Sequence, residues 1–565
     1  MDIQRIGLIA ALAVISYILV LTWQEDYGHK TQSVASAPTS SYSSAPSTTS
    51  ESAVPAADTA IPSSDIPGTD EPVAVVTDVA TATSKQGGLV KVSTGTLDLL
   101  IDTYGGDIIH TALNDYLAQQ GSDQPLVILE QNADRTYTAQ SGLTGKNGPD
   151  AKGDRPRYQV SQNSYRLADG QESLNVDLTL EQDNNVTITK RFTFGRGKYL
   201  IKMEYLVDNQ GDQPWQGNLF GQIKRDHSAD PSSQTSMGMQ SYLGPAFSNA
   251  EVNFEKYSFD DIDEKPYKSK SQAGWVAMLQ HYFVSAWIPS PEQTHNYFAR
   301  ERNGNYLAGF VSPSFTVAPG EKGSTSANFY AGPKIQGTLE QVAPYLKLSV
   351  DYGILWWIAQ PIFWLLGMIQ GVVINWGLAI ILVTVAIKGL FFPLSAKAYK
   401  SMAKMRAVGP ELTRLKELYG DDRQKMSQAM MELYKKEKIN PLGGCLPILI
   451  QMPVFIALYW VLLESVELRH APFMLWIQDM SVMDPYFVLP ILMGATMFIQ
   501  QTLNPTPPDP MQAKVMKMLP FMFTFFFLWF PAGLVLYWVV NNILSIAQQW
   551  VITRNIEAEV AARKS

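Results

Sequence analysis

Five apolar runs of 16–20 residues crowd the second half of this 565-residue chain, at positions 375–393, 446–463, 485–503, 515–530 and 532–551. Each is close to the length a helix needs to cross the hydrocarbon of a bilayer. Backbone in lipid must satisfy its own hydrogen bonds, so runs of this kind fold as membrane-spanning helices. A sixth run, residues 6–23, follows a weakly basic start and is followed by Gln24-Glu25-Asp26-Tyr27, a poor cleavage site. A signal peptide needs small residues there, so an uncleaved anchor is the favoured reading. A simple soluble enzyme is excluded. Charged residues are only 17% of the chain, against roughly 25% in ordinary soluble proteins.

The hydrophilic part is acidic. Residues 24–351 carry net −13 and residues 352–565 net +5. An acidic surface repels phosphates, which argues against a nucleic-acid binder and against DNA as a partner. The single cysteine, Cys445, excludes an intrachain disulfide and a cysteine-cluster metal site. Of the 54 residues from 31 to 84, 37 are Ser, Thr, Ala or Pro. Such a stretch cannot bury enough apolar surface to offset its ordering entropy, so residues 24–87 read as a flexible linker.

From 88 to 343 the periodicity becomes two. Leu174, Val176, Leu178 and Leu180 alternate with polar residues, as do Val186, Ile188, Phe192 and Phe194, then Ile201, Met203, Tyr205 and Val207. Each set predicts a strand with one buried face, and their number predicts a large all-β sandwich. The domain holds His110, His227, His281 and His295 but no His-x-x-x-His pair, nucleophile elbow or phosphate loop. Its carboxylates read as a solvated face.

Charge orders the membrane half. The loop 397–440 has 11 Lys/Arg against 6 Asp/Glu, and 464–484 has 1 Arg against 4 acids. The positive-inside rule places the first loop in the cytoplasm and the second outside. With the N-terminus inside, parity holds only if residues 352–374 do not cross, and the C-terminus then also lies inside. Gln360-Pro361 and the tryptophans 356, 357 and 364 fit an interfacial amphipathic helix on the outer leaflet. The count is then six transmembrane helices, with the β-domain outside. Within 397–440, Gly409-Pro410 and Gly420-Asp421-Asp422 punctuate two amphipathic stretches that predict a helical hairpin. Its basic residues serve topology, or contact RNA or acidic lipid. Its methionines, Met402, Met405, Met426, Met430 and Met431, are core filler or an adaptable binding surface.

The spans hold one ionisable interior residue, Lys388. At 1.5 Å per residue it lies roughly 8 Å above the cytoplasmic end at Pro393, with Thr384 one turn deeper and Gln451 at matching depth on the next span. Asn541, Ser545 and Gln548 line the last span, flanked by Asn542 and Gln549. Snorkelling accounts for Lys388 alone, and interhelical hydrogen bonding for the amides. Their joint confinement to the inner half of the bilayer points instead to a wet cavity open to the cytoplasm. A pore would need polar groups on the outer side too. A solute carrier would need midplane sites and internal repeats, which the sequence lacks. A sugar-binding or sugar-converting protein would place function in the β-domain.

Several long motifs carry a resemblance. Asn440-Pro441-Leu442-Gly443-Gly444-Cys445-Leu446-Pro447 with Gln451-Met452-Pro453, Trp529-Phe530-Pro531-Ala532-Gly533-Leu534-Val535-Leu536-Tyr537, Asp484-Pro485 and Leu489-Pro490-Ile491-Leu492-Met493-Gly494 resemble the YidC/Oxa/Alb membrane protein insertases. Ala139-Gln140-Ser141-Gly142-Leu143 and Gly274-Trp275-Val276-Ala277-Met278-Leu279-Gln280 resemble the Gram-negative YidC type. The resemblance implies a multi-domain, polytopic protein of the bacterial inner membrane. An N-terminal anchor (1–23), a linker and a periplasmic β-supersandwich (88–343) would precede the interfacial helix (352–374). An all-α, five-helix insertase core (375–553) and a cytoplasmic tail (554–565) would follow. It implies insertion and chaperoning of membrane proteins without covalent chemistry or cofactor. The implied groove would comprise Lys388, where the family usually has arginine, with Thr384, Gln451, Asn541, Ser545 and Gln548. Phe455, Tyr459, Tyr537 and Trp538 would form an apolar exit face, and the hairpin methionines would receive the nascent chain. Implied partners are nascent membrane proteins, the Sec translocon (SecYEG) with its accessory subunits (SecDF), the translating ribosome, the signal recognition particle receptor and membrane lipids.

Overall fold

Strand alternation builds the first half. The computed structural model describes residues 65–67, 88–151, 154–232, 241–419, 422–437, 446–504 and 510–564. The expected anchor 6–23 and the motif residues 440–445 lie outside them. Two large sheets, of ten and nine strands, form the β-domain. In the nine-stranded sheet, Ser173–Gln182, Val186–Gly195, Leu200–Asn209 and Lys322–Pro333 are successive antiparallel neighbours. Val186, Ile188, Phe192 and Phe194 are all buried, as their period requires. In the ten-stranded sheet, Thr294–Arg302, Asn305–Val317, Trp215–Arg225 and Thr136–Thr144 lie side by side.

The alternation also buries charge, which corrects the expectation of a merely solvated acidic face. Lys190 shares the inward register of Ile188 and Phe192 and is fully buried. Its Nζ donates to the carbonyls of Gly105 and Ser141, each at 3.0 Å. Gly106 has φ +63°, and a Cβ there would meet Lys190 Cδ at 2.9 Å, so this tight turn needs glycine. Beside it Arg155 pairs with the buried carboxylates of Asp107 and Asp150. Pairing of this kind offsets the cost of burying charge.

The helical half contains α1 (Trp356–Val373), α2 (Trp376–Leu390), α3 (Phe392–Ala407), α4 (Gly409–Tyr419), α5 (Arg423–Lys436), α6 (Leu446–Glu464), α7 (Val488–Leu503), α8 (Pro510–Phe526) and α9 (Ala532–Lys564). Caps fix several ends. Asn375 accepts from Leu378 N at 2.9 Å and starts α2. Asp422 accepts from Gln424 N and Lys425 N, each at 3.1 Å, and starts α5.

Two spans depart from expectation. The span expected over 375–393 does not run straight on, because α2 and α3 meet at a 68° bend. Pro393 lacks an N–H and its ring opposes the carbonyl four residues back, so the helix breaks around Phe391. The last span does not end near 551 but continues as one helix to Lys564. Ile552 and Ile556, one turn apart, extend its apolar stripe against Tyr399 and Ala403 of α3. Gly353–Val373 and Ala532–Ile556 are single helices long and apolar enough to cross a bilayer, and the bent α2–α3 pair makes another such unit. Further apolar helix lies at Gln451–Glu464 within α6 and at Val488–Leu503, which is α7. On α1, Trp356, Trp357, Trp364, Met368 and Val372 are exposed.

The β-domain and helical core share a buried polar seam. Lys334, just past the last strand, pairs with Glu464 at the end of α6 at 2.8 Å, with side chains 2% and 1% exposed. Lys334 Nζ also donates to Ser349 O at 3.2 Å. Burial holds the neighbouring His281 imidazole below its ordinary value, so it is neutral, and its Nε2–H donates to Leu463 O at 2.8 Å. Arg469 Nη2 reaches Ala118 O at 3.0 Å.

Candidate functional site: a polar recess at the α2–α3 bend

The bend decides where Lys388 points. It lies in the last turn of α2, and the break that follows turns α3 aside. A recess opens there, walled by Phe391, Leu394 and Ser395 on the bend side and by Gln451 and Val454 of α6. The Lys388 ammonium donates to Ser545 Oγ of α9 at 2.7 Å and to Gln451 Oε1 at 3.4 Å. Gln451 Nε2 in turn donates to Asn541 Oδ1. Ser545 Oγ donates to Asn541 O at 2.7 Å, within its own helix. Three helices are thus joined by one chain of polar groups. Among the described residues Lys388 makes no ion pair, so its only partners are neutral oxygens.

Such a charge is stabilised by hydrogen bonds yet keeps its full electrostatic reach. In a medium of low dielectric, an incoming carboxylate is attracted more strongly than it would be in water.

The remaining expected groove residues separate. Gln548 Nε2 donates to Phe392 O at 3.3 Å and so ties α9 to the bend. Thr384 does not reach the recess. It is buried, and its hydroxyl donates to Ile380 O of its own helix at 2.7 Å, the back-bonding habitual to threonine in helices. Asn542 and Gln549 turn towards α7: Asn542 Nδ2 bonds Thr496 Oγ1 at 3.2 Å, and Gln549 Nε2 bonds Leu503 O at 3.2 Å and Asn504 Oδ1 at 3.1 Å. Helical spacing sets these two groups about 80° apart around α9, and the structure gives each its own partner helix. Ser395 is the residue that sequence reasoning missed. Only the bend brings it to the recess, and Pro393 was the available signal.

Three of the four aromatic residues expected at the exit face pack on one another, whereas Tyr459 meets Trp460 and Phe530 instead. Phe455 stacks on Tyr537 at 6.2 Å and meets Trp538 edge-on at 4.4 Å. Tyr459 and Tyr537 are buried in the helical core, whereas Phe455 and Trp538 are half-buried. Only the latter two reach the outside of the bundle. The hairpin methionines lie apart from the recess. Met402 packs beside Tyr399 and Ala403, Met405, Met426 and Met430 are half-buried, and Met431 is exposed.

Comparisons with known proteins bear on this architecture. The family described as the YidC periplasmic domain matches residues 89–365, and the family described as the 60Kd inner membrane protein matches residues 368–559. The membrane protein insertase YidC of Pseudomonas fluorescens (strain SBW25) is 57% identical over 564 residues, covering 99% of both chains. That of Stutzerimonas stutzeri (strain A1501) is 56% identical over 563 residues, again covering 99% of both. A crystal structure described as an active YidC insertase with its first transmembrane domain resolved aligns over 82% of this chain and 94% of its own, at 17% identity and a TM-score of 0.35.

Proposed function

Because the chain belongs to the YidC family of membrane protein insertases, we propose that the recess at Lys388 is the groove through which it moves the hydrophilic segments of its clients. One observation carries this reading. A half-buried ammonium is bound to Gln451 and Ser545 but has no carboxylate partner among the described residues. Intramembrane charges are costly, and they usually face a bundle interior or a wet cavity. An unpaired cation there can offer a half-way site to an acidic segment leaving the cytoplasm. The client's apolar flanks slide into lipid past Phe455 and Trp538, and no covalent bond is made or broken. Gln451, Asn541, Ser545 and Gln548 keep the groove hydrated. The α4–α5 hairpin with its methionines receives the nascent chain, and the protein serves as insertase and chaperone, alone or beside the Sec translocon. Depleting it in cells and complementing with Lys388 variants tests this reading. A Lys388→Glu chain that restores client insertion as fully as the parent would defeat it.

The proposed topology has both termini in the cytoplasm, six transmembrane helices, α1 lying on the outer leaflet and the β-domain in the periplasm. It rests on the charge difference between residues 397–440 and 464–484. A topology reporter fused after Asp422 is expected to score cytoplasmic, and one fused after Asp479 periplasmic. A periplasmic score at Asp422 would mean that α1 crosses the bilayer.

A further inference from the structure

Three residues of the Ser/Thr/Ala/Pro-rich linker, Asp65, Ile66 and Pro67, lie against the outer face of the ten-stranded sheet. The strand Trp215–Arg225 sends Leu219 and Ile223 into the sandwich core, and its alternate residues Phe220, Gln222 and Lys224 point the other way. On the neighbouring strands, Phe298, Arg300, Arg302 and Val311 share that outer face. Asp65 is gripped from several sides. Lys224 Nζ pairs with Asp65 Oδ2 at 2.7 Å, and Arg302 Nε lies 3.5 Å from Oδ1. Gln222 Nε2 donates to Asp65 O at 2.9 Å. Arg300 Nη2 donates to Asp65 O at 3.2 Å and to Ile66 O at 3.1 Å. Ile66 is 6% exposed and packs with Phe220, Val311 and Phe298.

We infer that this face is a peptide-binding groove that reads a carboxylate followed by a branched aliphatic residue, and that the segment Asp65–Ile66–Pro67 of the same chain is its resident ligand. The chemistry is that of recognition. Three cations, Lys224, Arg300 and Arg302, converge on one acidic residue. An apolar pocket accepts the next side chain, and the backbone carbonyls are bound by side-chain donors. Charge-assisted contacts of this kind are the strong ones. Without the segment, three like charges would stand together and Phe220 and Val311 would be laid open. Tethering keeps the effective concentration of the segment high, so a three-residue ligand suffices. The groove therefore fastens the linker to the sheet well ahead of the first strand, Leu89–Ser93. The reach between the N-terminal apolar run and the β-domain is then set by residues 24–64 rather than 24–87.

The test uses the full-length chain in detergent with Cys445→Ser as background and a nitroxide spin label at Ser64→Cys. A label at Ser47→Cys serves as a reference within the same linker. The label at 64 is expected to be strongly immobilised and that at 47 mobile. Asp65→Ala lies outside every strand and leaves the sheet intact. It should lower the ratio of immobile to mobile label at 64 by about tenfold or more, as the loss of hydrogen bonds to a charged group implies. Lys224→Gln should act in the same direction. A label at 64 as mobile as that at 47 in the parent chain would overturn the inference. So would a spectrum that Asp65→Ala leaves unchanged.

Discussion

Lys388→Glu is expected to slow insertion of a client with an acidic translocated segment by well over tenfold, with Lys388→Ala intermediate and Lys388→Arg close to the parent. An attractive pair at about 4 Å is worth roughly 1 kcal/mol in water and about 4 kcal/mol at an effective dielectric of 20. Removing the charge forfeits that attraction, and reversing it adds repulsion. Hydrogen bonding can be separated from charge. Lys388→Gln keeps a donor within reach of Ser545 and Gln451 but carries no charge, so it should behave like the alanine variant with acidic clients. A client whose translocated segment is neutral should be slowed less by all of these changes. If Lys388 merely snorkels to the interface, alanine should cost little with every client, and the level of the protein should change rather than the insertion rate. Initial rates for a matched acidic and neutral client pair, at equal insertase levels, distinguish the two.

The second large effect concerns stability. Lys334→Met alone leaves Glu464 as an uncompensated charge in a seam where both side chains are almost wholly buried. Breaking a buried pair from one side costs about 3–5 kcal/mol. A lowering of the unfolding temperature of the purified full-length chain by several degrees is the expected outcome. The double variant Lys334→Met with Glu464→Leu should recover most of that loss, because an apolar pair of similar volume needs no desolvation of charge. Thermal unfolding of the three chains side by side checks this. A double variant as unstable as the single one would mean that Lys334 acts through Ser349 and its other neighbours rather than through Glu464.

The β-domain was legible in the sequence because its signal is local. Period-two alternation at Val186–Phe194 and Ile201–Val207 survives into the structure as buried inward faces. The punctuation of the hairpin at Asp422 likewise becomes an N-cap. The recess was half legible. Helical spacing placed Lys388, Gln451, Asn541 and Ser545 in the same half of the expected spans, and they do join in one hydrogen-bonded chain. The same spacing failed for Thr384, whose short hydroxyl is satisfied by its own helix. Pro393 was visible, yet a straight span was expected through it, so Ser395 was missed. The Lys334–Glu464 pair had no local signal: its members stand 130 positions apart. Asp65 was hidden for another reason. Its neighbours have the composition of a tether, and composition does not register the one short segment that finds a charged groove.

The central claim is that clients pass through the recess at the α2–α3 bend, and site-specific photocrosslinking tests it most directly. Photoreactive residues placed singly at Ser395, Gln451 and Gln549 would be presented with a stalled nascent client whose hydrophilic segment is half translocated. Ser395 and Gln451 line the recess, whereas Gln549 is bonded to Leu503 and Asn504 at the end of α7. Passage through the recess gives strong crosslinks from 395 and 451 and little from 549. Equal crosslinking from all three positions, or crosslinks from 549 alone, would contradict it.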